Sequence, residues 1–504
     1  MPIPKNILSV PRPLNTVVED SGVEGLKRYY VRARKGRAEF KNGGTYPLNG
    51  KTIGYIYKGK YIAKSELIKP ERPPYLSYGS SALVEKHSKD LFLLLTECFD
   101  IKVAGQIMAV AHLKIIINHI GSNRYSTHYK TCFTSLYYEN LPLSKNVITS
   151  LYEKVGNDIN ARKMFFDLRI KSVQETHNLI IDGTLRQDNS SINNFSASSR
   201  KSRQKGVKHH SILYAYDTVT GEPIVSQVYP GNMLDLKCLD SFVNDNNINT
   251  GTVIVDKGFS VEGVKKLCKK YKTLHFIVPL RNNNTKIIKY NMLKFTSSFI
   301  HMEEFIYCKK SKTYQGTYLY SFQNLGMKEQ QTKTVFRKCN NTDNQEDFEK
   351  HYDKLEYCGA IVFESDLDIT PEELYKAYDL RWLLELVFDR YKNDLYFNTT
   401  NVQGNSAVVG EEFVNLVATT ITTRILKEID DKGITKKMSF SDMMYDLGRC
   451  MRCNYNIDEL PDIDDSGWVY QLDKSKDLLV QLGLATNINY VPPRKRGRKP
   501  KNKN

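Results

Sequence analysis

The order of apolar runs predicts a mixed α/β protein, and three observations carry that prediction. Between residues 178 and 280 short β-type runs alternate with stretches of helical periodicity. Two of those runs, 212–217 and 223–229, flank Thr218-Val219-Thr220-Gly221-Glu222, a hairpin signature. Further on, Thr370, Pro371 and Glu373 form a marked helix start. Thr370 serves as N-cap, Pro371 occupies the first turn, and Glu373 completes a capping box.

Taken in order, residues 1–172 predict a largely helical DNA-binding region. It opens with the basic run Arg28-Tyr29-Tyr30-Val31-Arg32-Ala33-Arg34-Lys35 and two short β-type runs, 52–57 and 60–63. Apolar residues then recur at helical steps over 83–119. Residues 173–281 predict the first part of an α/β core. Leu179-Ile180-Ile181 is a buried-strand signal ending in Asp182, and the hairpin follows it. A helix over 233–246, a strand at 252–255 ending in Asp256, a helix over 260–271 and a strand over 274–280 complete this part. Residues 282–357 predict a β-rich insertion, with runs at 303–307, 317–322 and 333–337. The core resumes over 358–398 with a strand at 360–363 and a helix from 371 to about 394. A C-terminal helical region spans 399–490, and 491–504 is a basic tail expected to be disordered.

Charge narrows the class of partner. Lysine and arginine total 73 against 56 acids, a net charge of +17 over 504 residues, which favours an acidic polymer as partner, nucleic acid being the commonest. No signal-peptide pattern and no bilayer-length apolar run is present, so a cytoplasmic protein with no membrane partner is expected, nucleoid-associated in a bacterium. Nine scattered cysteines, an odd number, point to a reducing compartment. Cys450 and Cys453 form one CxxC without a second ligand pair nearby, which argues against a structural zinc.

The helix from 371 concentrates the chemistry. At ~100° per residue, Tyr378, Arg381, Glu385 and Lys392 fall within an arc of roughly 60°. Leu380, Leu383, Leu384, Val387 and Tyr391 take the opposite face. Alone, Arg381 and Glu385 read as a surface pair worth a few tenths of a kcal/mol. Asp182 and Asp256 change that reading, because each ends a strand where side chains of an open α/β sheet converge on ligands. With Glu385 they supply three hard oxygen ligands suited to Mg²⁺ or Mn²⁺. Two such ions can activate the attacking oxygen and stabilise the leaving one in phosphodiester displacement. Tyr378, Arg381 and Lys392 would then hold DNA phosphates.

The spacing Tyr378-x2-Arg381-x3-Glu385-x6-Lys392 resembles the Tyr-Arg-Glu-Lys signature of a large group of bacterial insertion-sequence transposases. Ile181-Asp182-Gly183-Thr184, Val255-Asp256-Lys257-Gly258-Phe259 and Tyr229-Pro230-Gly231-Asn232 with Asp235 add to the likeness, which covers roughly residues 175 to 425. It implies a DDE enzyme with an RNase H-like core, in which Asp182, Asp256 and Glu385 are catalytic and bind two Mg²⁺ ions. It implies hydrolysis at the inverted repeats of the element, then attack of the freed 3′-hydroxyl on double-stranded target DNA by a homodimer assembled on that DNA. Relatives with a β-insertion can cut the second strand through a hairpin, aided by an aromatic residue in that insertion. Here Trp382 and Trp468 both lie outside it, leaving Tyr307, Tyr314, Tyr318, Tyr320 and Phe322.

Two weaker signals are basic. A loop over 189–210 carries Arg200-Lys201-Ser202-Arg203-Gln204-Lys205, suited to contacting DNA or simply to solvent. In the tail, Arg496-Gly497-Arg498 resembles the minor-groove core of an AT-hook, although Lys499 precedes Pro500; a generic basic tail is the alternative. Two other functions share these features: an RNase H-like nuclease without strand transfer, and a catalytically silent DNA-binding repressor.

Overall fold

The computed structural model describes residues 3–39, 44–64, 73–117, 121–173, 179–190, 192–199, 202, 206–233, 235–255, 257–340, 353–379, 395, 397–471 and 473–487. The chain divides into two compact units, Met1–Pro74 and Tyr75–Asn504.

The first unit corrects one expectation. The region expected to be largely helical opens instead as an antiparallel sheet in the order β1 (Thr16–Asp20), β2 (Tyr29–Glu39), β3 (Thr45–Tyr57), β4 (Lys60–Ala63). Its small core is Val10, Val18, Val31 and Ile56. Tyr, Val and Ile populate β2 and β3, residues that fit a pleated, half-buried surface. Lys58-Gly59, both at positive φ, turn β3 into β4.

A single helical turn, Lys5–Leu8, precedes that sheet, and the second unit opens with the longer helices α1 (Gly79–Lys86), α2 (Lys89–Cys98), α3 (Ile101–Ile116), α4 (Lys145–Asn157) and α5 (Ile159–Val173). The central sheet follows: β5 (Leu179–Asp188), β6 (Lys208–Asp217), β7 (Pro223–Pro230), α6 (Asp235–Asp245), β8 (Thr250–Ile254), α7 (Val261–Cys268) and β9 (Thr273–Pro279). β6 is antiparallel to both β5 and β7, whereas β8 is parallel to β5 and β9 parallel to β8. The order β7-β6-β5-β8-β9 therefore joins an antiparallel meander to two parallel strands. Parallel pairing needs a crossover, and α6 supplies it between the meander and β8.

The segment after β9 does not leave this sheet. After α8 (Thr285–Lys289), β10 (Ser297–His301), β11 (Glu304–Lys312) and β12 (Tyr318–Asn324) pair antiparallel in sequence, and β12 pairs with β13 (Ala360–Ser365), which pairs with β9. The result is one mixed sheet of eleven strands among the described residues. One β-type run is corrected: residues 333–337 lie within helix α9 (Leu325–Asn340). Asn324 Oδ1 accepts from Met327 N at 2.9 Å, and the Met-Lys-Glu-Gln-Gln stretch that follows favours helix, carrying the turn through Val335 and Phe336.

Helix α10 begins at residue 371 and is described to 379. Its capping box is formed: Thr370 N donates to Glu373 Oε2 at 2.8 Å, and Glu373 N donates to Thr370 Oγ1 at 3.3 Å. Beyond the short strand β14 (Thr399–Thr400) runs α11 (Asn405–Asp431), 27 residues long, packed on α3, α4 and β7. Its contact with α4 is backbone on backbone. A Cβ on Gly156 would stand 1.8 Å from Ser406 O, and one on Gly410 1.9 Å from Tyr152 O. Glycine at both positions lets the helices approach that closely. Helices α12 (Phe440–Gly448) and α13 (Asp473–Gln481) complete the described chain. No helix among the described residues is long and apolar enough to cross a membrane.

Candidate active site

Strand β5 carries the first expected site residue. Its register with β8 pairs Leu179 with Val253 and Ile180 with Ile254, side by side and in the same direction. Two residues past Ile180 stands Asp182, half-buried, opposite Tyr214 of β6. Asp182 Oδ1 accepts from Gly183 N at 2.8 Å. Asp256, two residues past Ile254, lies outside the described residues, as do Arg381, Glu385 and Lys392.

Tyr378 is described, on α10. Its ring meets the fully buried Phe363 of β13 edge-on, with centroids 4.4 Å apart. β13 pairs with β9, β9 with β8, and β8 with β5. Tyr378 is thus seated on the same sheet that carries Asp182, through an aromatic contact that fixes the start of α10.

Side chains alternate along a strand, so Asp182, Thr184, Arg186 and Asp188 share one face of β5. Beyond Asp182 that face is a buried polar network. Arg186, 2% exposed, makes an ion pair with Glu411 of α11 at 2.9 Å and donates from Nη2 to Thr399 O at 3.0 Å. Glu411 also accepts from Thr400 Oγ1 at 2.6 Å and lies 3.8 Å from Lys114 Nζ of α3. Glu412 accepts from Tyr214, the cross-strand partner of Asp182. At the strand end Asp188 Oδ2 accepts from Asn193 Nδ2 at 2.8 Å and lies 3.2 Å from His210 Nδ1.

The electrostatics of this network are internally matched. Burial works to raise the Glu411 carboxyl, but Arg186 and Lys114 outweigh it and hold the group below its ordinary range. Burial pushes Lys114 down to about 8 against the opposing pull of Glu411. Burial likewise opposes ionisation of Asp188, and the hydrogen bonds from His210 and Asn193 reverse it. Sequence reasoning missed these residues. The signal was Glu411-Glu412 inside an otherwise apolar helix, together with a lone Arg186 in a strand.

Burial sorts the aromatic candidates beyond β9. Tyr320 and Phe322 are fully buried, and the Tyr320 hydroxyl donates to Leu367 O at 2.8 Å, so both are packing residues. Tyr314 is 89% exposed and Tyr307 38%, leaving their rings accessible. The Arg200–Lys205 segment is described only at Ser202, and Arg496, Gly497 and Arg498 lie outside the described residues. Cys450 is buried, with its thiol 3.7 Å from Asp446 O, while Cys453 is exposed. Among the described residues no three His, Cys, Asp or Glu side chains are grouped to hold a metal ion.

Comparison with known proteins bears on the same stretch of chain. No curated protein matches the sequence. Among solved structures, a piggyBac transposase synaptic complex with hairpin DNA is similar at 12% identity and a TM-score of 0.37, covering 74% of this chain and 80% of that one. The transposase DDE domain family matches residues 175–421, a span that holds Asp182, Asp256, Tyr378, Arg381, Glu385 and Lys392 together. Over that span the chain belongs to the family of DDE-domain transposases.

Proposed function

We propose that this chain cuts DNA at the inverted repeats bordering its own insertion sequence and joins the freed ends to target DNA. The observation that carries the reading is the parallel register of β5 and β8: Ile180 pairs with Ile254, and an aspartate follows each by two residues. Strand order β7-β6-β5-β8-β9, antiparallel then parallel, supports an RNase H-like core for 173–281 and 358–398. In that reading 282–357 is an insertion whose strands prolong the sheet, 1–172 binds DNA, 399–490 is a helical buttress and 491–504 a basic tail.

Asp182, Asp256 and Glu385 are the metal ligands in this proposal. Carboxylate oxygens are the donor type that Mg²⁺ selects, and Mn²⁺ accepts the same set. Bound there, two Mg²⁺ ions would supply an activated attacking oxygen and charge stabilisation for the leaving one. Tyr378, Arg381 and Lys392 hold phosphates, Arg381 by paired hydrogen bonds and Lys392 as a point charge. In the first reaction water oxygen bonds to phosphorus and the 3′-oxygen leaves, giving a 3′-hydroxyl and a 5′-phosphate. In the second, that 3′-hydroxyl bonds to a target phosphorus and a target 3′-oxygen leaves. One phosphoester bond forms for each one broken, so joining needs no external energy source. Two ends must meet for insertion, which calls for a homodimer on DNA.

The test incubates the protein, Mg²⁺, a labelled duplex carrying the flanking repeat of the element and a target plasmid. Joined products that disappear in Glu385→Gln are expected. Cleavage without joining would assign a nuclease instead. DNA binding with neither reaction, in Mg²⁺ or Mn²⁺, would leave a silent repressor and defeat the catalytic reading.

A further inference from the structure

The N-terminal sheet carries a feature that its own fold does not use. β1 covers β2 only over Tyr29–Ala33, and β4 covers β3 only over Gly54–Tyr57. Past Arg34, whose N–H donates to Asn15 O at 2.9 Å, β2 and β3 run on as a two-stranded ribbon. The pairs Arg34 with Asn49, Gly36 with Leu48, Arg37 with Pro47 and Glu39 with Thr45 define it. Six residues of strand reach about 20 Å at ~3.4 Å each.

Charge on this ribbon is mostly basic: Arg34, Lys35 and Arg37 against one acid, Glu39. From Lys27 to Lys64 the chain holds eleven lysines and arginines and one acid, Glu39. Basic residues at the base are matched by β1: Arg28 lies 3.5 Å from Asp20, and Arg32 lies 3.7 Å from Glu19. On the ribbon Arg34, Lys35 and Arg37 are exposed and form no ion pair with any described residue. Tyr46 (41%) and Leu48 (43%) on β3 are exposed too.

The two faces are both basic. Arg34 and Arg37 share the face of their partners Asn49 and Pro47, because directly opposed residues project to the same side. Lys35 sits where the register shifts between Arg34 and Gly36. Its stem crosses Gly50, whose added Cβ would meet Lys35 Cγ and Cε at 3.4 Å, putting Lys35 on the side of Leu48 and Tyr46. A flat acidic surface, whether protein or membrane, would engage one face and strand the charge of the other. A groove with phosphates along both rims engages both. The DNA major groove, about 12 Å wide, admits a two-stranded ribbon.

We infer that the ribbon of Arg34–Glu39 and Thr45–Asn49 enters the major groove of duplex DNA. Arg34 and Arg37 meet the phosphates of one rim and Lys35 those of the other. This rests on the transposase reading, which supplies duplex DNA as the partner, and extends it to a specific element.

The test uses the full chain and a fluorescein-labelled mixed-sequence duplex, with affinity measured across a salt series. Each phosphate contact contributes about −0.9 to the slope of log K against log salt, so Arg34→Gln/Lys35→Gln/Arg37→Gln should flatten it by about 2.7. Dimethyl sulfate reacts at guanine N7 on the major-groove floor; the unaltered protein should protect it and the triple variant should not. An unchanged slope overturns the inference, and so does a flattened slope with no N7 protection by the unaltered protein. Should the triple variant fail to melt cooperatively, Lys35→Gln and Arg37→Gln singly should each flatten the slope by about 0.9. End cutting by the unaltered protein tests the transposase reading separately: cutting alongside an unchanged slope sinks the ribbon alone. Absence of binding to any duplex sinks both.

Discussion

Asp182 binds its own neighbour, accepting from Gly183 N, on the β5 face that continues into Arg186 and Asp188. The carboxylate is therefore held by backbone on one oxygen, and replacing it by amide preserves that acceptor. Asp182→Asn should leave thermal unfolding unchanged while lowering strand cleavage by at least 10²–10³-fold, on the order seen when a main charge-stabilising group is lost. A variant that cleaves at the normal rate would remove Asp182 from the site. Further along the same face, Arg186, Glu411 and Lys114 are charges buried together, and their value lies in mutual satisfaction. Removing one partner of such a set strands the others at a cost of about 3–5 kcal/mol. That is why this network reads as scaffold for β5, and burial within it brings Lys114 down to about 8.

Helix α11 is the element on which the second unit is braced, and two features of it make measurable claims. Gly410 touches the Tyr152 carbonyl of α4 with no room for a methyl group. Gly410→Ala gains helix propensity locally, yet overpacking costs about 1–3 kcal/mol, so urea unfolding should show a net loss. A stabilised protein would mean that the helices can part freely. At the far end, Glu428 accepts from Lys86 Nζ at 2.7 Å and lies 2.7 Å from His87 Nε2, with Lys432 also bonded to it. Burial opposes its ionisation, but these three partners bring the carboxyl down to about 2. A depressed carboxyl stabilises the fold above its unfolded value near 4.5 and loses that contribution as pH falls towards 2. Glu428→Gln should therefore cost about 1 kcal/mol at neutral pH, allowing for solvent screening, and the gap from the unaltered protein should close across that acidic window. A gap that persists at pH 2 would locate the effect elsewhere.

Across the whole molecule, metal and DNA binding should separate. Chelation of divalent cations should abolish cleavage and joining while leaving salt-dependent duplex binding in place, because the basic charge that drives binding owes nothing to the carboxylates. Mn²⁺ should restore activity; loss of duplex binding on chelation would show instead that the metal organises the DNA-binding surface.

Much of this architecture was legible in one sequence. Leu179-Ile180-Ile181, the 212–217 and 223–229 hairpin and the Thr370-Pro371-Glu373 box are local signals, and the hairpin and the box are satisfied by neighbours a few residues away. Residues 333–337 misled because β-type side chains followed a helix already nucleated at Asn324. The N-terminal sheet was half seen, its β3 and β4 recognised and its β2 read only as a basic run. The Tyr378, Arg381, Glu385, Lys392 spacing was set by counting residues, which needs no coordinates; Asp182, expected to end a strand, instead lies within β5, which continues to Asp188 because its pairing with β6 runs on to Gln187.

Partners hundreds of residues apart lay beyond that reach. Nothing local links Arg186 to Glu411, Tyr214 to Glu412 or Gly156 to Ser406, since those contacts exist only once α11 closes on β5, β6 and α4. The sequence alone determined the periodicity of each element and the chemistry of its side chains, because propensity and capping act within a turn or two. Only the tertiary structure decided that β10–β13 prolong the core sheet and that β2 and β3 outrun their flanking strands. Both depend on which backbone groups find a partner strand and which are left to solvent.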